Sequence, residues 1–197
     1  MIRLIIFDLS DTCFTSEEPV FLKKFIREHN LVPDKFEKAY LDLVLKAEVN
    51  KISARDAWNS LFKKFDIDDD FRRIIRDMMS FKEPTEVLGL AKSLKSKYKT
   101  AYLTNYCKEY WEEAEKRFDL KPYFDFGIAS YQIGFRKPDP EGFLRILDHF
   151  KVKPGEAVFI DDSLKNLAAP KRLGIHVIQF KNKKQLTIDL RKKGVKV

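Results

Sequence analysis

Residues 2–12 read IRLIIFDLSDT, an apolar run that stops at an aspartate. A continuous apolar run of this length is typical of a central strand in a parallel sheet, because both faces of such a sheet are covered. In open parallel sheets, ligands bind beyond the carboxyl ends of the strands. Asp8 stands at that end, so this one stretch predicts both a parallel sheet and a candidate site residue.

The second half of the chain alternates between short apolar runs and amphipathic segments. We predict strands at residues 99–103, 124–129, 157–160 and 176–180, and helices at residues 106–118, 140–150 and 164–173. The basic segment 181–196 is broken by apolar residues, which favours a closing amphipathic helix. Regular alternation of strands and helices predicts a doubly wound parallel sheet with right-handed crossovers.

A block with helical periodicity, about residues 17–80, separates the first strand from this alternation. Apolar residues recur three and four positions apart within 36–47, 54–65 and 71–79, so each segment carries one apolar stripe. Ser53 is a candidate N-cap, and Pro33 suits a helix start. With a fourth helix near residues 19–28, we expect a small helical bundle inserted after the first strand.

Length and composition limit the protein class. A chain of 197 residues suggests one domain, or one domain with an insertion. The net charge of +8 comes from scattered basic residues, so we expect no nucleic-acid partner. Cys13 and Cys107 do not make a disulfide framework.

The first apolar run is too short for a membrane span and lacks a signal-peptide pattern, so we expect a cytoplasmic protein without a membrane partner. The oligomeric state stays open.

Polar residues follow three of the predicted strands and are expected to meet at one edge of the sheet. They are Asp8 after the first strand, Thr104 and Asn105 after the second, and Asp161 and Asp162 after the strand at 157–160. Carboxylates close together repel unless a hard cation joins them, and Mg²⁺ prefers such oxygens. The strand ends therefore predict a magnesium site.

The same residue types suit phosphoryl transfer. Aspartate is a known covalent nucleophile for phosphoryl groups, and a cation beside it lets a dianionic phosphate approach. Lys137, in the loop before the helix at 140–150, adds a second positive charge. The hydroxyl of Thr104 can hold a phosphoryl oxygen. Each residue alone has an ordinary structural explanation, but their order along the chain favours a common site.

Four motifs resemble those of the haloacid dehalogenase-like superfamily. FDLSDT at residues 7–12 is similar to its Asp-x-Asp-Gly-Thr motif, and LTN at 103–105 is similar to its strand ending in Thr or Ser. GFRKPDP at 134–140 resembles its lysine motif, and FIDDS at 159–163 its acidic pair. Asn166 and Gly174 follow at familiar spacing. The resemblance implies an α/β fold, with a Rossmannoid core of residues 1–13 and 82–197 and an inserted helical-bundle cap of residues 14–81.

The resemblance also implies roles for the site residues. Asp8 is implied to attack phosphorus, giving an aspartyl-phosphate that water then hydrolyses. Thr104, Asn105 and Lys137 are implied to bind the phosphorylated substrate. Magnesium is implied to be held by Asp8, Asp162 and the backbone carbonyl of Ser10, with Asp161 in or next to the coordination shell.

The first motif departs from the family pattern at Ser10 and Asp11. In family phosphatases an aspartate two residues after the nucleophile protonates the leaving oxygen and later activates water. Ser10 holds its proton too tightly to do this at neutral pH. Asp11 takes the usual glycine position, where an aspartate tolerates a sharp turn better than most residues. Whether the Asp11 carboxylate supplies the missing acid/base group is left open by the sequence.

The sequence is compatible with three functions. The leading hypothesis is a magnesium-dependent phosphatase acting on a small phosphorylated metabolite. The alternative is a binding or regulatory protein that keeps the fold and the metal but turns over little. A 2-haloacid dehalogenase is disfavoured, because attack on a carbon–halogen bond needs no magnesium and therefore does not explain Asp161 and Asp162.

Overall fold

A computed structural model of the chain describes residues 1–15, 18–80 and 83–197. Among these residues, five strands form one parallel sheet in the order β3-β2-β1-β4-β5. The strands are β1 Leu4–Phe7, β2 Lys99–Thr104, β3 Phe126–Ala129, β4 Ala157–Asp161 and β5 His176–Gln179. The predicted doubly wound α/β fold is confirmed, with each predicted strand present and its ends shifted by at most two residues.

Strand β1 occupies the centre of the sheet, and its residues are fully buried. Phe7 lies opposite Tyr102 of β2 on one side and opposite Ile160 of β4 on the other. This register brings the carboxyl ends of β1, β2 and β4 together at one edge. The residues that follow those strands are therefore neighbours in space.

The inserted block folds into helices whose bounds follow the predicted periodicity. They are α1 Glu18–Glu28, α2 Pro33–Ala47, α3 Ala54–Phe65 and α4 Phe71–Ser80. Pro33 is the first residue of α2, and Ser53 caps α3 by accepting a hydrogen bond from Asp56 N at 2.9 Å. These four helices are called the inserted bundle below. Residues 16, 17, 81 and 82 lie outside the described residues, and the second predicted boundary between cap and core, at 81/82, falls on them.

Helices on both faces of the sheet complete the fold. They are α5 Glu86–Lys95, α6 Lys108–Arg117, α7 Ser130–Ile133, α8 Glu141–Phe150, α9 Leu164–Arg172 and α10 Lys183–Lys192. Helices α8 and α9 cover one face, while α5, α6 and α10 share the apolar cluster of the other. Helices α5 and α7 were not predicted. Within residues 1–15, 18–80 and 83–197, no helix combines the length and apolar character needed to cross a membrane.

The inserted bundle packs around one tryptophan and contacts the rest of the protein through α6. Trp58 is 1% exposed, and its Nε1–H donates to the hydroxyl of Tyr110 on α6 at 2.5 Å. Beside it, Ala54 N donates to the carboxylate of Glu109 at 3.1 Å. The bundle and the sheet face beneath α6 therefore belong to one continuous apolar core.

Candidate active site

Asp8 lies at the carboxyl end of the central strand and is almost completely buried. Its backbone N–H donates to Ile160 O of β4 at 2.8 Å, which continues the sheet pairing by one residue. Its Oδ1 accepts a hydrogen bond from Leu9 N at 2.7 Å. The backbone therefore fixes the direction in which this carboxylate points.

Lys137 joins two of the strand ends through its ammonium group. Its Nζ lies 2.6 Å from Asp8 Oδ1 and 2.6 Å from Asp161 Oδ2, and the side chain is 2% exposed. Burial lowers the pKa of Lys137, but the carboxylates of Asp8 and Asp161 raise it above its ordinary value. The structure thus brings a protonated lysine against Asp8, as the sequence predicts.

The side-chain amide of Asn105 holds the backbone of Lys137 at both of its polar atoms. Lys137 N donates to Asn105 Oδ1 at 2.8 Å, and Asn105 Nδ2 donates to Lys137 O at 3.2 Å. The preceding residue, Thr104, is 1% exposed at the end of β2. Asn105 thus ties the end of β2 to the loop that carries Lys137, a positioning contact that the predicted substrate-binding role did not include.

Asp161 is fully buried and accepts hydrogen bonds at both carboxylate oxygens. Besides Lys137, Ser163 N donates to Oδ1 at 2.8 Å, and Asn166 Nδ2 lies 3.1 Å from each oxygen. Asn166 stands in the first turn of α9. The one sequence signal for Asn166 was its spacing from the acidic pair.

Three carboxylates form a cluster at the strand ends. Oxygens of Asp8, Asp161 and Asp162 lie within 4.8 Å of one another. Burial raises the pKa of Asp8 to about 7 against the opposing effect of Lys137, and burial together with Asp161 and Asp11 raises the pKa of Asp162. Burial thus disfavours the charged forms of Asp8 and Asp162, and a divalent cation fits an oxygen cluster of this kind.

Ser10 and Asp11 lie in the loop after β1. Asp11 has a φ of 55°, the left-handed conformation expected at the family's glycine position. Its charge contributes to the raised pKa of Asp162, after burial and the charge of Asp161. Ser10 lines a cavity between the sheet edge and the inserted bundle.

This cavity, called the Ser10 cavity below, has a volume of about 170 Å³. The inserted bundle, with Glu48 directly after α2, contributes one wall, and the residues after β2 contribute another. Its lining residues are Ser10, Glu18, Val44, Glu48, Met78, Asn105, Tyr106, Cys107 and Tyr110. Periodicity predicted the helices that form the wall, but it did not single out Glu18 or Glu48, because their role depends on how the bundle sits on the sheet.

Comparison with known proteins agrees with this architecture. A family model of haloacid dehalogenase-like hydrolases matches residues 2–174. Flavin mononucleotide hydrolase 1 from Arabidopsis thaliana is 27% identical over 98% of this chain and 78% of its own length. Glyceraldehyde 3-phosphate phosphatase from Pyrococcus furiosus is 25% identical over 96% of this chain and 85% of its own length.

A solved structure shares the fold. The HAD family enzyme from Bacteroides thetaiotaomicron, in complex with magnesium and inorganic phosphate, superposes with a TM-score of 0.80 at 24% identity, covering 93% of this chain and 96% of that one. These relatives agree with the prediction of a phosphohydrolase-type enzyme. The family match extends over all four motifs, and the chain therefore belongs to the haloacid dehalogenase-like hydrolase family.

Proposed function

We propose that this chain is a magnesium-dependent phosphatase that acts on a small phosphorylated metabolite through an aspartyl-phosphate at Asp8. The observation that carries the proposal is the buried contact of Lys137 Nζ with both Asp8 and Asp161, at 2.6 Å each. A buried carboxylate beside a fixed cation suits attack on a phosphate dianion, because the cation offsets the repulsion between the two anions.

The proposed reaction assigns a task to each residue. An oxygen of Asp8 forms a bond to phosphorus, the bond from phosphorus to the leaving oxygen breaks, and the leaving oxygen takes up a proton from solvent. Lys137 and the hydroxyl of Thr104 bind the phosphoryl oxygens during this step. Water then attacks the aspartyl-phosphate, which releases inorganic phosphate and restores the Asp8 carboxylate.

The donor set fits a magnesium ion. We propose Asp8, Asp162 and the backbone carbonyl of Ser10 as its ligands. Bound magnesium supplies positive charge to the phosphoryl oxygens. The hydrogen bonds that Asp161 accepts from Lys137, Ser163 and Asn166 support a different role for this residue, which is to hold Lys137 in place beside Asp8.

Residues 14–81 are proposed as a cap and residues 1–13 and 82–197 as the core. The cavity walls that come from both parts support this division, because a substrate enclosed there touches the core at Ser10 and the cap at Val44. The phosphoryl group is then held by the core, and the remainder of the substrate is held between core and cap.

The binding or regulatory alternative is favoured by one observation. Ser10 stands where family phosphatases carry an aspartate, two residues after Asp8, and it lines the Ser10 cavity. Without general acid help, phosphoryl transfer slows by about 10²–10⁴-fold. Such a protein would bind magnesium and phosphate but turn over little.

Hydrolysis of an aryl phosphate with and without magnesium separates these functions. The leaving group of this substrate is weakly basic, so the first step does not need an acid. We expect turnover that stops with a chelator and in Asp8→Asn. Magnesium and phosphate binding without turnover supports the binding protein, and magnesium-independent release of halide from a 2-haloacid supports the dehalogenase. Aryl phosphate hydrolysis that persists in Asp8→Asn contradicts the proposed nucleophile.

A further inference from the structure

The Ser10 cavity has acidic side chains in its wall. Two of its lining residues are carboxylates, Glu18 in the first turn of α1 and Glu48 immediately after α2. The lining residues that the structure describes include no lysine or arginine. The cation of the site, Lys137, lies instead at the carboxyl ends of the strands, beside Asp8.

Glu48 is fixed in place by residues outside the inserted bundle. Arg136 Nε donates to Glu48 Oε2 at 2.5 Å, and Ser130 Oγ donates to Glu48 O at 2.6 Å. Ser130 is itself buried and accepts a hydrogen bond from Tyr106 N at 3.0 Å. Both the backbone and the side chain of Glu48 are therefore held, so the carboxylate does not swing away from the cavity at low cost.

The effect of the two carboxylates reaches the opposite wall. Burial raises the pKa of the Cys107 thiol, and Glu48 and Glu18 raise it further. Burial also raises the pKa of the Tyr110 hydroxyl, with Glu18 among the charges that add to the shift. A second anion that enters the cavity meets the carboxylates of Glu18 and Glu48, with the charge of Glu48 partly offset by Arg136.

Resting on the proposed phosphatase function, we infer that the Ser10 cavity selects phosphate monoesters whose leaving group is small, carries no negative charge and donates hydrogen bonds. Short polyols and amino alcohols share this chemistry. Their hydroxyl or ammonium groups can donate to Glu18 and Glu48 while the phosphoryl group meets Lys137. Esters with a carboxylate or a second phosphate at that position are rejected by Glu18 and Glu48.

The volume of the cavity supports a small leaving group. Pockets that enclose drug-sized ligands measure about 300–1,000 Å³, whereas the Ser10 cavity measures about 170 Å³. A chain of a few carbon atoms fits this space. A fused aromatic ring system does not fit within it unless the inserted bundle moves.

Binding of three phosphonates of similar size tests the inference without the need for turnover. The probes are 2-aminoethylphosphonate, 3-hydroxypropylphosphonate and 3-phosphonopropionate, which differ mainly in the charge of the distal group. Calorimetry on the magnesium-loaded protein should show the first two binding at least about tenfold more tightly than the third, because like charges across a binding surface are strongly unfavourable. A preference for the amine over the alcohol identifies amino alcohols as the favoured class, and the reverse identifies polyols.

Charge-removing variants locate the cause of this selectivity. Glu18→Gln should reduce the discrimination against 3-phosphonopropionate severalfold, and Glu48→Gln should reduce it further, because Arg136 then meets the anion. Glu37→Gln, which removes an exposed carboxylate from α2, serves as the matched control and should leave the ratio unchanged.

Two results overturn the inference, and they have different meanings. Equal binding of all three phosphonates, or discrimination unchanged in both Glu18→Gln and Glu48→Gln, refutes the role of the carboxylates and leaves the phosphatase intact. If neither the phosphonates nor orthophosphate bind to the magnesium-loaded protein, the phosphoryl site itself is refuted. The inference about selectivity is then refuted as well.

Discussion

Ser10 separates the chemistry of this site from that of the family phosphatases to which its first motif is similar. The hydroxyl cannot act as an acid/base group at neutral pH, and the nearest acidic neighbour in sequence is Asp11. In the proposed mechanism, an activated ester can still phosphorylate Asp8, because its leaving group needs little protonation. Hydrolysis of the aspartyl-phosphate still lacks a base that activates water. This deficit does not depend on the substrate, because the attacking water is the same for every substrate.

We therefore expect the aspartyl-phosphate to accumulate. We also expect Ser10→Asp to speed its hydrolysis. Turnover of an aryl phosphate should show a burst in rapid-quench measurements, and Ser10→Asp should raise the steady-state rate by about 10²-fold or more. Asp11→Asn is the companion variant and should have little effect. Loss of turnover in Asp11→Asn, with no gain in Ser10→Asp, would mean that Asp11 supplies the acid/base group.

The acidic pair gives a second prediction at the scale of single residues. If Asp162 is a metal ligand, Asp162→Asn should weaken magnesium binding at least about tenfold in a calorimetric titration, because the variant loses an anionic oxygen ligand. Circular dichroism should show the fold intact, since the side chain is only half-buried. Asp34→Asn, an exposed charge change on α2, is the control. Unchanged magnesium affinity in Asp162→Asn would remove this residue from the ligand set.

At the scale of secondary structure elements, periodicity predicted most of the helices and strands, and the strand ends indicated the candidate site. Asp8, Thr104, Asp161 and Asp162 lie at or directly after the ends of strands that pair in parallel, so the sheet itself brings them to one edge. Helix α7 is a single turn, too short for a periodic signal. The contact between Glu48 and Arg136 was also beyond prediction, because it depends on how the inserted bundle sits on the sheet.

The link between β2 and the lysine loop makes a prediction at this scale. Asn105→Ala removes two hydrogen bonds to the backbone of Lys137 and should lower the free energy of unfolding by about 1–3 kcal/mol. Phosphate affinity should fall as well, because Lys137 loses its support. Asn105→Asp keeps the acceptor for Lys137 N and loses the donor, so its unfolding midpoint should be intermediate. Wild-type values for both variants in thermal melts and phosphate titrations would contradict the positioning role.

At the scale of the whole molecule, the inserted bundle and the sheet share one apolar core. Trp58 packs against Phe25 and Tyr40 within the bundle and donates to Tyr110 of α6. A continuous core couples the stability of the two parts. The proposed division into cap and core therefore describes chain organisation rather than two independent folding units.

This coupling predicts a single unfolding transition. Trp58→Ala should cost about 3–5 kcal/mol and lower the melting temperature of that one transition by about 10 °C in scanning calorimetry. Trp58→Phe retains a ring and should have a smaller effect. Two resolved transitions, of which only the first moves in Trp58→Ala, would show that the bundle unfolds alone.

The central place of β1 also constrains how the chain is made. The sheet is complete at its centre only when Phe7 of β1 lies opposite Ile160 of β4. Most of the core must therefore leave the ribosome before β1 has both of its neighbours. The bundle helices pair with near neighbours in sequence and can form earlier, since local contacts close quickly and distant strand pairs close slowly. Until β4 is synthesised, the apolar β1 has only β2 of its two partner strands. Newly synthesised chains should therefore depend on chaperones most during the interval between completion of the bundle and synthesis of residue 160.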